Sequence, residues 1–163
     1  MIGYMASGKT TVGRLIADKL DFQHIDTDDA VTKLMGLSVN DIFKQYGETT
    51  FRSYELKVTQ LITQLNRVVI SSGGGLPVYN QNIDKLLDTG LTIYLKASVD
   101  TLVNRIIKDG ATRPLHNNQS RELLSNAITE KLKLREHIYS KAHLTLDTDT
   151  NLDSLVNQIL SAL

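Results

Sequence analysis

Apolar residues recur at helical spacing from Thr10 to Leu20, where Val12, Leu15, Ile16 and Leu20 share one face. Phe22-Gln23-His24-Ile25 then reads as a short strand ending on Asp26-Thr27-Asp28. A helix over 29–35 is expected to stop at Gly36, and Ser38 can cap another over 39–46 that stops at Gly47. Thr49 or Thr50 opens a longer helix with Phe51, Leu56, Leu61, Ile62 and Leu65 as its apolar positions. The β-branched run Val68-Val69-Ile70-Ser71 is a buried-strand candidate, and three glycines follow almost at once. Beyond them the pattern predicts a helix over 83–89, a strand over 91–95 and a helix over 99–107. A Gly- and Pro-containing loop over 109–120 precedes a long charged helix over 122–139, a strand over 143–146 and a helix over 152–160. Strands alternating with helices predict an α/β fold with a parallel sheet covered on both faces.

Composition narrows what such a domain can do. The 163 residues suit one domain, and 41% apolar content is enough for one core. Eighteen basic side chains cancel eighteen acidic ones, which argues against holding nucleic acid or an anionic membrane through bulk charge. No apolar run approaches the ~18 residues that span a bilayer, and no signal peptide opens the chain, so a cytoplasmic location is expected. The absence of cysteine removes disulfides, thiolate nucleophiles and cysteine-ligated zinc. The four histidines, His24, His116, His137 and His143, include no pair at metal-ligand spacing, so packing or surface roles are expected of them.

Chemistry enters at the start of the chain. Gly3-Tyr4-Met5-Ala6-Ser7-Gly8-Lys9-Thr10 fits G-x-x-x-x-G-K-[ST] and runs straight into the first predicted helix. Such a loop curls so that consecutive N–H groups face phosphate oxygens, and the helix N-terminus adds partial positive charge. Lys9 would reach the outer phosphates and the Thr10 hydroxyl would ligate Mg²⁺. Only Met1 and Ile2 precede Gly3, where a buried strand of ~5 residues is expected. Either the natural start lies upstream or that strand is cut short.

A phosphate loop also serves GTPase switches and motor ATPases, but the chain lacks a guanine-reading N-K-x-D and a hydrophobic strand ending in Asp-Glu. Asp26 and Asp28, at i and i+2 of a strand end, would face one way toward the phosphate loop. One could hold a metal-bound water and the other an acceptor hydroxyl; helix capping is an equally good use of Asp28. Gly73-Gly74-Gly75 would permit close backbone approach to a ligand, or merely a flexible turn.

Taken together these blocks resemble the shikimate kinase family. The likeness extends over 3–11, Ile25–Asp28, Asp41-Ile42-Phe43 through Gly47-Glu48, Phe51-Arg52 with Glu55, Ser72–Gly75, Arg113-Pro114-Leu115, and Arg135 before Tyr139. It implies a three-layer αβα fold with a five-stranded parallel sheet in the nucleoside-monophosphate-kinase style, as a single kinase domain over 1–163. Within it a phosphate loop spans 3–10, a shikimate-binding region about 28–56 and a lid about 108–120. The implied reaction is ATP-dependent phosphorylation of shikimate to shikimate 3-phosphate with Mg²⁺, in aromatic amino-acid biosynthesis, by a monomer without nucleic-acid or membrane partners.

The resemblance also implies roles residue by residue. Ala6, Ser7, Gly8, Lys9, Thr10, Thr11 and lid Arg113 would bind nucleotide, with Lys9, Asp28 and Arg113 catalytic. Thr10 and Asp26, the latter through water, would hold the metal. Asp28, Arg52, Gly73, Gly74, Gly75 and Arg135 would bind shikimate, the two arginines gripping its carboxylate. Taken alone, Arg52 and Arg135 would read as solvated helix charges. Pro114 biases Arg113 toward extended backbone, which would let it project. The chain departs from the family pattern at Ala6, where glycine is frequent, at His116, and in a spacer between Arg105 and Arg113 one residue longer than in some relatives. That spacer leaves open whether Arg105 meets adenine. Other small-metabolite or nucleotide kinases, such as gluconate kinase, and a non-catalytic nucleotide-binding module are the alternatives.

Overall fold

A computed structural model describes residues 1–109 and 121–163. The expected lid centre, with Arg113, Pro114 and His116, lies outside the described residues. The elements run α1 (Lys9–Leu20), β1 (Gln23–Asp26), α2 (Thr27–Met35), α3 (Val39–Ile62), β2 (Val68–Ser71), α4 (Asn82–Thr89), β3 (Ile93–Lys96), α5 (Val99–Lys108), α6 (Arg121–Tyr139), β4 (Leu144–Asp147) and α7 (Leu152–Ser161). Gly47 (φ 79°, ψ 167°) breaks α3 where the sequence places a stop, so its two halves meet at a kink.

Among the described residues all strand pairing is parallel. β1 lies beside β2 with Gln23 opposite Val68, and β3 beside β4 with Ile93 opposite Leu144. Met1 and Ile2 run between the two pairs. The Ser72 N–H donates to the Met1 carbonyl at 3.0 Å, while Ile2 exchanges bonds of 2.8 and 2.9 Å with Ile93 and Leu95. The expected five-stranded sheet is thus seen as two parallel pairs tied through a two-residue segment, too short to make a ladder of ordinary strand length.

Side chains of β3 alternate between faces and show that both are covered. Ile93 and Leu95 pack with Val12 and Ile16 of α1 and with Leu155, Val156 and Ile159 of α7. Tyr94 points the other way, toward Ile83 and Leu86 of α4 and Tyr139 of α6. A separate cluster of Val31, Ile42, Phe51, Val58 and Ile62 joins α2 to α3. Two expected apolar positions of the long helix are not core. Leu61 and Leu65 are 71% and 48% exposed, because α3 ends at Ile62 and turns its last face to solvent. Among the described residues no helix is long and apolar enough to cross a membrane.

Candidate active site

The phosphate loop is closed by the conformation of Gly8. At φ 96° and ψ 10° it occupies the left-handed region that side chains resist, and Lys9 starts α1 directly after it. Ala6 also has positive φ, 62°, without the freedom of glycine. Its carbonyl accepts from Arg105 Nη1 at 3.3 Å, and Arg105 Nη2 donates to the Thr148 carbonyl at 2.8 Å. Arg105 therefore braces the loop against the segment after β4. Ser7 and Lys9 are buried, and Lys9 Nζ folds back to donate to the Tyr4 carbonyl at 2.7 Å. Thr11, one residue further along α1, is exposed.

A second set of bonds ties α1 to the ends of β1 and β2. The Thr10 hydroxyl donates to Asp26 Oδ2 at 2.7 Å. Ser71 Oγ donates to the Lys9 carbonyl at 2.9 Å and sits 2.9 Å from His24 Nε2. His24 therefore has a packing role, and burial lowers its pKa. Thr10 and Asp26 present adjacent hard oxygen donors beside the loop. Such a set fits Mg²⁺, which keeps several waters and takes only one or two protein oxygens besides phosphate.

Asp28 departs from the strand reading. β1 ends at Asp26, so alternation stops there, and Asp28 lies in the first turn of α2. Asp26 is the cap: its Oδ1 accepts from the Asp28 N–H at 3.0 Å. The two carboxylates diverge, Asp26 toward Thr10 and Asp28 toward the glycine triplet.

That triplet is where the residues expected to bind an acceptor meet. A Cβ at Gly73 would run into carboxylate oxygens of both Asp28 and Glu55, and one at Gly75 into the Arg52 guanidinium. A side chain at either position would displace these charged groups. Arg135 Nη1 reaches the Gly74 carbonyl at 3.5 Å. The other side of the triplet lies on the phosphate loop, since a Cβ on Gly74 would stand 3.2 Å from the Gly3 carbonyl oxygen. Asp28, Arg52 and Arg135, drawn from three helices, thus converge on one loop that also abuts the phosphate loop.

Glu55 received no role from its sequence position, yet it organises this side. It is fully buried, accepts from Arg52 Nη1 at 2.6 Å and lies within 3.5 Å of the Thr27 hydroxyl. Burial pushes its carboxyl up to about 7, against the pull of Arg52. Arg52 also donates to Glu48 at 3.1 Å and covers the Phe51 ring at 5.2 Å. The Arg52–Glu55 spacing of three on a helix was the available signal, but only burial distinguishes it from a solvated pair.

The family model for shikimate kinase matches residues 5–163. A shikimate kinase of Clostridium botulinum (strain 657 / Type Ba4) is 41% identical over 157 residues, covering 96% of this chain and 90% of the relative. The crystal structure of shikimate kinase from Bacteroides thetaiotaomicron superposes with a TM-score of 0.95 at 29% identity, covering 99% of this chain and 94% of that one. Shikimate kinase from Acinetobacter baumannii in complex with shikimate gives a TM-score of 0.88 at 31% identity, covering 99% and 89%.

Proposed function

The chain belongs to the shikimate kinase family, and from that premise we infer that it transfers the γ-phosphoryl group of ATP to a hydroxyl of shikimate, giving shikimate 3-phosphate. The observation that carries the acceptor side is the convergence of Asp28, Arg52 and Arg135 on Gly73–Gly75, next to the phosphate loop. Two guanidiniums beside a backbone turn suit a small ring bearing a carboxylate, because each can offer parallel N–H donors to its oxygens. Guanidiniums also bind the phosphate of a nucleoside monophosphate and the carboxylate of an open-chain sugar acid, so it is the family match that favours shikimate over these.

Phosphoryl transfer asks mainly for positioning and charge balance. Lys9 balances charge on the outer phosphates, and Asp28 orients the acceptor hydroxyl and takes its proton as the new O–P bond forms. Thr10 and Asp26, the latter through water, would hold Mg²⁺, which when bound supplies positive charge to the phosphate oxygens. Arg113 has the role the resemblance implies, contact with ATP phosphates once a lid over about 108–120 has closed. For the sheet, ladder bonding of Met1 and Ile2 to both pairs supports one five-stranded parallel sheet, β1-β2-(1–2)-β3-β4.

The test is ADP release from ATP with shikimate, AMP or gluconate as acceptor. Shikimate is expected to stimulate release far above background and the other two are not. Equal stimulation by AMP or gluconate would remove the acceptor assignment and leave a kinase of another specificity.

A further inference from the structure

Two tyrosines without an assigned role lie where the phosphate loop meets the acceptor side. Tyr139, in the last turn of α6, is fully buried with its ring 5.1 Å from that of Tyr94. Its hydroxyl donates to the Gly74 carbonyl at 2.6 Å, and burial raises its pKa, so the donor proton stays on. One helical turn earlier, Arg135 shares that carbonyl. The Arg135 guanidinium lies 5.8 Å from the ring centroid of Tyr4, a phosphate-loop residue whose own carbonyl holds Lys9 Nζ. Between the two, Glu136 accepts from the Tyr94 hydroxyl at 2.7 Å and pairs with Lys96 at 2.8 Å, which pins this turn of α6 to β3.

A run of three glycines has little to select one backbone orientation, since no side chain restricts it. The Gly74 carbonyl shares a rigid peptide plane with the Gly75 N–H, so holding one aims the other. Tyr139 is the closer of the two donors that hold it. Arg135 carries a long flexible side chain whose head must stand ready for a carboxylate. An aromatic face beneath it restrains it without occupying its N–H donors.

We propose that Tyr139 and Tyr4 are positioning residues for the acceptor carboxylate: the Tyr139 hydroxyl sets the Gly74 peptide, and the Tyr4 ring carries the Arg135 guanidinium and ties it to the phosphate loop. This rests on the reading of Gly74 and Arg135 as acceptor contacts. The two residues act through different atoms, so their conservative variants behave oppositely. Phe lacks what position 139 supplies and keeps what position 4 supplies.

The experiment is steady-state kinetics on wild type, Tyr139→Phe, Tyr4→Phe and Tyr4→Leu, with shikimate varied at saturating ATP and the reverse, beside melting temperatures. Tyr139→Phe and Tyr4→Leu are each expected to raise KM for shikimate about three- to tenfold, the range for one neutral hydrogen bond or one cation–π contact. KM for ATP stays within about twofold on the same estimate, and Tyr4→Phe stays close to wild type. Unchanged KM for shikimate in Tyr139→Phe and Tyr4→Leu overturns the proposal, and so does an equal rise in both KM values. A Tyr4→Phe as impaired as Tyr4→Leu also overturns it, because the ring would then not be what matters. If Tyr139→Phe does not fold, the two Tyr4 variants decide. A wild type without shikimate-dependent ADP release overturns the acceptor reading and this inference with it. An active wild type with unaltered variants overturns this inference alone.

Discussion

Arg52 and Glu55 stand one helical turn apart with 2.6 Å between Nη1 and Oε2, and Glu55 is completely buried. The pair is therefore unlike the exposed ion pairs elsewhere, such as Lys133 with Glu130. Its carboxylate is held away from water and fixes Nη1 of the guanidinium, while Glu48 takes Nε and Nη2 from the exposed side.

This arrangement has a pH signature. Glu55 is raised from 4.5 to about 7, with burial as the largest cause, so between those values the folded protein holds a proton that the unfolded chain has released. The stability it contributes is fully present below 4.5 and is lost as pH rises through about 7. Glu55→Gln removes this titration. Its melting temperature relative to wild type is expected to rise as pH goes from 4.5 through about 7 and to level off above. A difference that does not vary with pH would show that Glu55 titrates like an ordinary carboxylate.

Asp28→Asn tests the acceptor hydroxyl. The substitution keeps shape and hydrogen-bonding reach but removes the anion. A drop in kcat of about 10²–10⁴ is expected if the carboxylate takes the proton. Turnover within a few-fold of wild type would leave Asp28 as a favourable charge in the first turn of α2.

Ala6→Gly tests stored strain. A residue with a Cβ in left-handed conformation costs roughly 1–2 kcal/mol, and the added glycine freedom of the unfolded chain gives back roughly 0.4–1. With Ala6 at φ 62°, a net gain of up to about 1.5 kcal/mol is expected in urea unfolding. Destabilisation would mean that packing of the Ala6 methyl outweighs the strain.

Arg113→Ala tests the phosphate contact that the resemblance implies. Single-turnover transfer is expected to slow on the order of 10²-fold or more, as for other donors that stabilise developing charge. Shikimate titration of the nucleotide-free protein should change little. Lost shikimate affinity with normal transfer would move Arg113 to the acceptor side.

Local signals carried much of this protein. The apolar pattern locates helix α5, and Ser38 and Gly47 mark the start of α3 and its break, because capping and backbone freedom act within a few residues. The phosphate loop is equally legible, since its function resides in consecutive backbone N–H groups and the helix that follows. Chemistry that depends on distant partners was legible only as a resemblance. Arg52 and Arg135 are 83 positions apart by their numbers, and nothing between them says that both reach the glycine triplet. Sequence alternation puts Asp28 on the strand end, whereas β1 stops at Asp26, which caps α2 with one carboxylate oxygen and takes the Thr10 hydroxyl on the other. Glu55 and Tyr139 look in sequence like one helix charge and one core aromatic. Only packing, by removing water from the first and turning the hydroxyl of the second onto Gly74, decides what they do.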